Sequence, residues 1–261
     1  MPDVKHLEKA AHVVYIYDGS FEGFLCCVFE SVYLKEFPFD ILREEEGQLT
    51  LLDARLILTE GKKAERVRKS IPLRISQRAL ELAVRVFCSA LARKEMLLLE
   101  FLLRGYKEGG KICFMLADPL VSPLLKAEKH LLGEAHLLKG FVRFADAGGA
   151  LVAAISPKNF ILPFIAQHFV MRYDKERFMI FDKTNKAALL YQGGNAEIVR
   201  VDGMEFPDIS QEEERYQALW KGFYNTIAIK SRENPRCRMT HMPKRYWENM
   251  TEVSELVRPK N

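Results

Sequence analysis

Residues 140–192 read GFVRFADAGGALVAAISPKNFILPFIAQHFVMRYDKERFMIFDKTNKAALLYQ, and their hydropathy pattern decides the fold. Two stretches rich in β-branched and aromatic residues, 140–146 and 150–156, flank a Gly-Gly pair, and two more, 177–183 and 186–192, flank Thr184-Asn185. Such steps suit tight turns, so each pair of stretches predicts a hairpin. Between the hairpins, Ile161, Ile165, Phe169 and Met171 recur at roughly helical spacing across 159–172. The order strand-strand-helix-strand-strand predicts an α+β fold, an antiparallel sheet built from hairpins with long helices packed on it.

Upstream, the period is mostly helical. Leu80, Ala83, Phe87, Leu91, Leu98, Leu102 and Leu103 predict two packed helices or one broken helix between 76 and 106. Asp118-Pro119 then places a cap residue before a proline, and Val121 to Ala135 continue an apolar face. Nearer the start, HVVYIY at 12–17 reads as a buried strand stopped by Asp18-Gly19, with Ser20 capping a helix through Phe24, Val28 and Val32. A second strand is expected over 51–59, ahead of the charged and exposed GKKAERVRKS.

Downstream, Ser210 and Glu213 form a capping box, and Tyr216, Leu219, Trp220, Phe223, Tyr224 and Ile227 make an aromatic stripe that reads as core packing. The tail, 231–261, is expected to wrap the body as short helical turns. The chain thus reads as one domain over 1–261, with a subdivision into a mainly helical part, 1–138, and a hairpin sheet with a C-terminal helical wrap, 139–261.

Of the 261 residues 48% are hydrophobic, ample for a core, and the formal charge of +4 is too mild to demonstrate a polyanion partner. The first residues lack the apolar stretch of a signal peptide and no run reaches a membrane span, so a cytoplasmic location without membrane contact is expected. Five scattered cysteines suit free thiols better than a disulfide framework, an iron–sulfur cluster or a zinc site. No phosphate loop is present, and neither a cofactor nor a metal is expected.

Candidate site residues fall into two groups. Asp18 stands at the end of a strand where α/β proteins often place functional groups, although a turn and cap explain it equally. His168, and with it His136, offers an imidazole matched to acid–base work near neutral pH. Two basic runs could neutralise phosphates: Lys62, Lys63 and Arg66, continuing to Arg78, and Arg232, Arg236, Arg238, Lys244 and Arg245. The second adjoins Tyr246 and Trp247, rings able to stack on bases.

Three stretches, YDGSFEGFLCCVFE, EAHLLKGFVRF with PKNFILPFIAQHF, and NPRCRMTHMPKRYWENMTE, resemble a bacterial family of DNA metabolism proteins across nearly the whole chain. The resemblance implies a companion of a radical-SAM protein that carries a helix-hairpin-helix DNA-binding region and modifies or repairs DNA. It also implies kinship with a domain found fused to uracil-DNA glycosylase-like domains. The expectation is an accessory DNA-binding protein in repair or modification, acting with that radical-SAM partner. Its rivals are an enzyme acting on a DNA base or backbone through Asp18 and His168, and a protein-binding adaptor without DNA contact.

Overall fold

The first apolar run becomes strand β1 (Val13–Tyr17), whose side chains are nearly all buried, as suits the centre of a parallel sheet covered on both faces. The structure is a computed structural model that describes residues 12–45, 52–201, 210–227, 231 and 234–254. The chain divides into two compact units, Met1–His130 and Leu131–Asn261.

In the first unit, Ser20 accepts the Gly23 amide at 2.9 Å and opens helix α1 (Phe21–Leu34). Strands β2 (Asp40–Arg43) and β3 (Asp53–Leu56) pair with β1 on either side, both parallel, in the order β2-β1-β3. This sheet corrects the expectation of a mainly helical part with antiparallel pairing only. Its central strand is visible as an apolar run, but DILR is too short and mixed to announce β2. Helices α2 (Gly61–Arg74), α3 (Gln77–Phe87) and α4 (Lys94–Glu108) follow, α3 being capped by Ser76. Phe24, Ile71, Leu82, Leu98, Leu99 and Phe101 are fully buried in the core of this unit. Asp118 Oδ1 accepts the amides of Leu120 and Val121 and starts α5 (Val121–Phe141).

The second unit takes the end of α5 and a five-stranded sheet of β4 (Ala145–Asp146), β5 (Leu151–Ile155), β6 (Phe178–Asp182), β7 (Ala187–Gln192) and β8 (Asn195–Arg200), in that order. Both expected hairpins form, β4/β5 and β6/β7. The join between them differs from the expectation: β5 and β6 run parallel. Helix α6 (Leu162–Arg172) is a crossover that returns the chain to the end where β5 began, so the sheet is mixed rather than antiparallel. Residues 140–144 are not strand, because α5 continues through Phe141, whose ring lies 5.9 Å from Tyr246, while Phe144 packs 5.6 Å from Phe169. Gly193 and Gly194, at φ 56° and 88°, turn the chain into the additional strand β8.

Helix α7 (Gln211–Ile227) begins as its capping residue foretells, with Ser210 Oγ accepting the Glu213 amide at 3.1 Å. Its aromatic stripe is not core. Tyr216, Leu219, Phe223 and Ile227 face solvent, because the packed edge of the helix is a different one. After α8 (Pro235–His241) a 3-10 turn over Lys244–Asn249 carries Tyr246, Trp247, Met250 and Val253 into the core, so the C-terminal segment is part of this unit's packing.

Candidate functional site

Because β5 and β6 are parallel, their carboxyl ends lie side by side, and the loop after β5 and the turn after β6 emerge together. Buried acids gather where these loops meet α5 and the C-terminal segment. Glu134, on α5, accepts the amides of Lys158 (2.9 Å) and Asn159 (2.8 Å), Asn159 Nδ2 (2.6 Å), the Tyr246 hydroxyl (2.8 Å) and Arg245 Nη2 (2.8 Å). Burial pushes its carboxyl up, but the two amides and the Tyr246 and Asn159 side chains overcome this and hold it below the usual range. Asp182, at the end of β6, has no solvent exposure and accepts the amides of Thr184 and Asn185 and the Asn185 side chain. Desolvation outweighs these bonds, with the Glu134 charge adding to it, and the Asp182 carboxyl is pushed up to about 6.

Over this pair lies an exposed rim. Glu248 accepts from Ser156 Oγ (2.9 Å) and Lys183 Nζ (3.2 Å), and Asn249 bonds both Lys183 and Ser156. Arg143 and Glu252 form a further pair at 2.7 Å. The cluster joins parts of the chain more than 100 residues apart, and its two buried carboxylates are saturated with donors. Such groups position a segment rather than transfer protons. What they position is the basic C-terminal segment.

There the expected binding residues divide. Tyr246 and Trp247 are buried, at 2% and 6% exposure, and Trp247 Nε1 donates to the Met242 carbonyl at 2.8 Å. These rings act as packing anchors, which leaves no face for a base to stack on. Arg245 stacks 4.7 Å over Tyr246 and bonds Glu134. Arg236 and Lys244 are exposed and Arg238 half-exposed, and none has an ion pair among the described residues. Arg232 lies outside the described residues. In the other run Lys63 bonds Glu30 and Glu60, Arg68 bonds Glu22, Lys69 bonds Glu65 and Arg78 bonds Glu128, while Lys62 and Arg66 remain exposed, Arg66 over the Phe29 ring.

The acid–base candidates fall in different units. Asp18 is exposed at the carboxyl end of β1, where Oδ1 accepts the Ser20 amide and hydroxyl and Oδ2 accepts Thr59 Oγ1 at 2.8 Å. His136 and His168 belong to the second unit. His136 is exposed, and His168 is half-buried edge-on to Phe169, its pKa lowered by burial and by the nearby Lys139 and Arg172 charges. Among the described residues no three His, Cys, Asp or Glu side chains are grouped to hold a metal ion, and no helix is long and apolar enough to cross a membrane.

The residues that sequence reasoning missed are Glu134, Asn159, Asp182, Lys183 and Glu248. Three of them sit inside the stretches EAH, PKNF and RYWEN, a convergence that a one-dimensional reading does not use.

Fold and cluster together define a two-unit α+β protein whose C-terminal basic segment is locked to its second unit through buried carboxylates. The chain belongs to the family described as a domain of unknown function, DUF4130, which matches residues 92–252. No curated protein and no solved structure matches it.

Proposed function

We propose that this DUF4130 protein is an accessory DNA-binding protein in DNA repair or modification, acting beside a radical-SAM partner with a helix-hairpin-helix region. The observation that carries the reading is the contrast between the two basic runs. Most of the first is neutralised by neighbouring carboxylates, whereas Arg236, Arg238 and Lys244 project from a segment that Glu134, Tyr246 and Trp247 hold in place. Unpaired cations on a fixed frame suit a phosphate backbone, since they release counterions without first breaking ion pairs. The partner rests on the family resemblance alone. Titration of labelled duplex and single-stranded DNA at two salt concentrations tests the reading: salt-sensitive binding supports it, and absence of binding at low salt overturns it. Co-purification with the radical-SAM protein tests the partnership separately.

A second reading, direct action on a DNA base or backbone with Asp18 as an acid–base group, draws on the exposed place of Asp18 at the carboxyl edge of a parallel sheet.

A further inference from the structure

Helix α7 turns its more polar edge inward and its apolar face outward. Its half-buried positions are Glu213, Gln217, Lys221 and Tyr224, a seam spaced four, four and three. Glu213 Oε2 there accepts the Asp146 amide at 3.2 Å and Gln217 donates to Glu213 at 2.8 Å. About 100° round the axis, given 3.6 residues per turn, runs a continuous apolar stripe. It is formed by Tyr216, Leu219, Phe223 and Ile227, 62%, 68%, 55% and 58% exposed, with Trp220 at its border and bonded to Glu252. Alongside, the small residues Ala218 and Gly222 leave a depression bordered by Arg215, Leu219 and Phe223. Large side chains beside a groove of small ones form the ridge and groove by which two helices pack. An apolar patch of this extent on a polar-seamed helix marks an interaction surface.

Charge selects the occupant. The first turn of α7 carries Glu212, Glu213 and Glu214, and the sequence after Ile227 carries Lys230 and Arg232. Chain connectivity keeps the Lys230 Cα within about 11 Å of the Ile227 Cα. The surface is therefore acidic at one end, apolar in the middle and followed by basic residues at the other, a pattern complementary to itself when reversed. A parallel copy would set acid against acid. An antiparallel copy sets the acids of each helix beside the cations that follow the other, and also opposes the two helix dipoles. Self-complementarity under a two-fold axis is the requirement of an isologous interface.

We propose that α7 packs antiparallel against α7 of a second copy of this chain, with Leu219 and Phe223 of each copy seated in the Ala218–Gly222 groove of the other. The test is sedimentation velocity with the full chain at micromolar concentrations in low and high salt. The parent should sediment as a dimer that loosens as salt rises. Leu219→Glu with Phe223→Glu should give a monomer of unchanged circular dichroism and Tm, since both side chains are exposed. Glu212→Lys with Glu214→Lys should raise the dimer Kd by about tenfold or more, and adding Lys230→Glu with Arg232→Glu should restore it. A monomeric parent, or a dimer that survives the double glutamate change, overturns the proposal. So does a monomer whose Tm falls on that change, which would place the stripe against its own chain.

Discussion

Asp18 and Thr59, 41 residues apart, are joined by a hydrogen bond of 2.8 Å that ties the end of β1 to the segment following β3. Gly23 makes this possible. A Cβ built there would lie 2.3 Å from Asp18 Oδ1 and 2.8 Å from Thr59 Oγ1, so any side chain must displace the carboxylate. Gly23→Ala should therefore cost about 1–3 kcal/mol despite the better helix propensity of alanine. Urea unfolding reads the cost, and an unchanged midpoint would show that the Asp18–Thr59 link adds nothing.

Asp18→Asn should keep nearly all the stability. Asparagine also accepts the Ser20 donors, and its amide can donate to a rotated Thr59 hydroxyl. If Asp18 only caps, activity of the complex with the radical-SAM partner survives as well. A stable variant without activity would shift the reading to the enzyme.

Glu134→Ala removes the shared acceptor of two amides, Asn159, Tyr246 and Arg245, and should cost about 3–5 kcal/mol by leaving buried donors unpaired. Limited proteolysis near Lys244 should accelerate in parallel. Normal stability with normal protection would mean that the segment is held by Trp247 and its neighbours alone.

Asp182 and Glu134 bend stability with pH in opposite senses. The Asp182 pKa is raised in the folded protein, so its contribution is full below the unfolded value of about 3.9 and is lost as pH rises through about 6. The Glu134 pKa is lowered, so its contribution is present above the unfolded value and is lost as pH falls through the folded one. Asp182→Asn should flatten the fall between pH 4 and 6, whose slope reaches at most about 1.4 kcal/mol per pH unit. Parallel stability curves for parent and variant across that window would exclude a raised Asp182.

Replacing Arg236 and Lys244 by alanine should weaken DNA binding and shallow the slope of log affinity against log salt by roughly one unit for each phosphate left without its cation. Trp247→Ala should instead lower stability, by about 3–5 kcal/mol for a buried indole, because the ring packs inside the second unit. A parental slope in the folded double variant would direct attention to Lys62 and Arg66.

The parts of this fold legible in the sequence are those fixed by neighbours: the caps at Ser20, Ser76, Asp118 and Ser210, the two hairpins, and the helical run from Gln77. Their signals lie within a few residues of where they act. The parallel pairing of β5 with β6 depends on the path of α6, which alternation of side chains cannot encode. Glu134 looks like any polar residue on an exposed helical face, and only the return of the chain at Tyr246 buries it. The stripe on α7 reads as core because its spacing suits one. Spacing shows that a face is apolar, not what covers it.

The core of the first unit draws on residues from Val13 to Ala127, whereas that of the second runs from Ala135 to Val253 and includes Tyr246, Trp247 and Met250. On the ribosome the two therefore close at different moments. The amino-terminal half has all its apolar partners once α5 has emerged, while the five-stranded sheet waits, one edge of its core bare, for the last helical turns to be translated. A nascent chain stalled before Lys244 would carry a finished first unit and an unfinished second one, and premature stop codons in that stretch fall on assembly as heavily as on function.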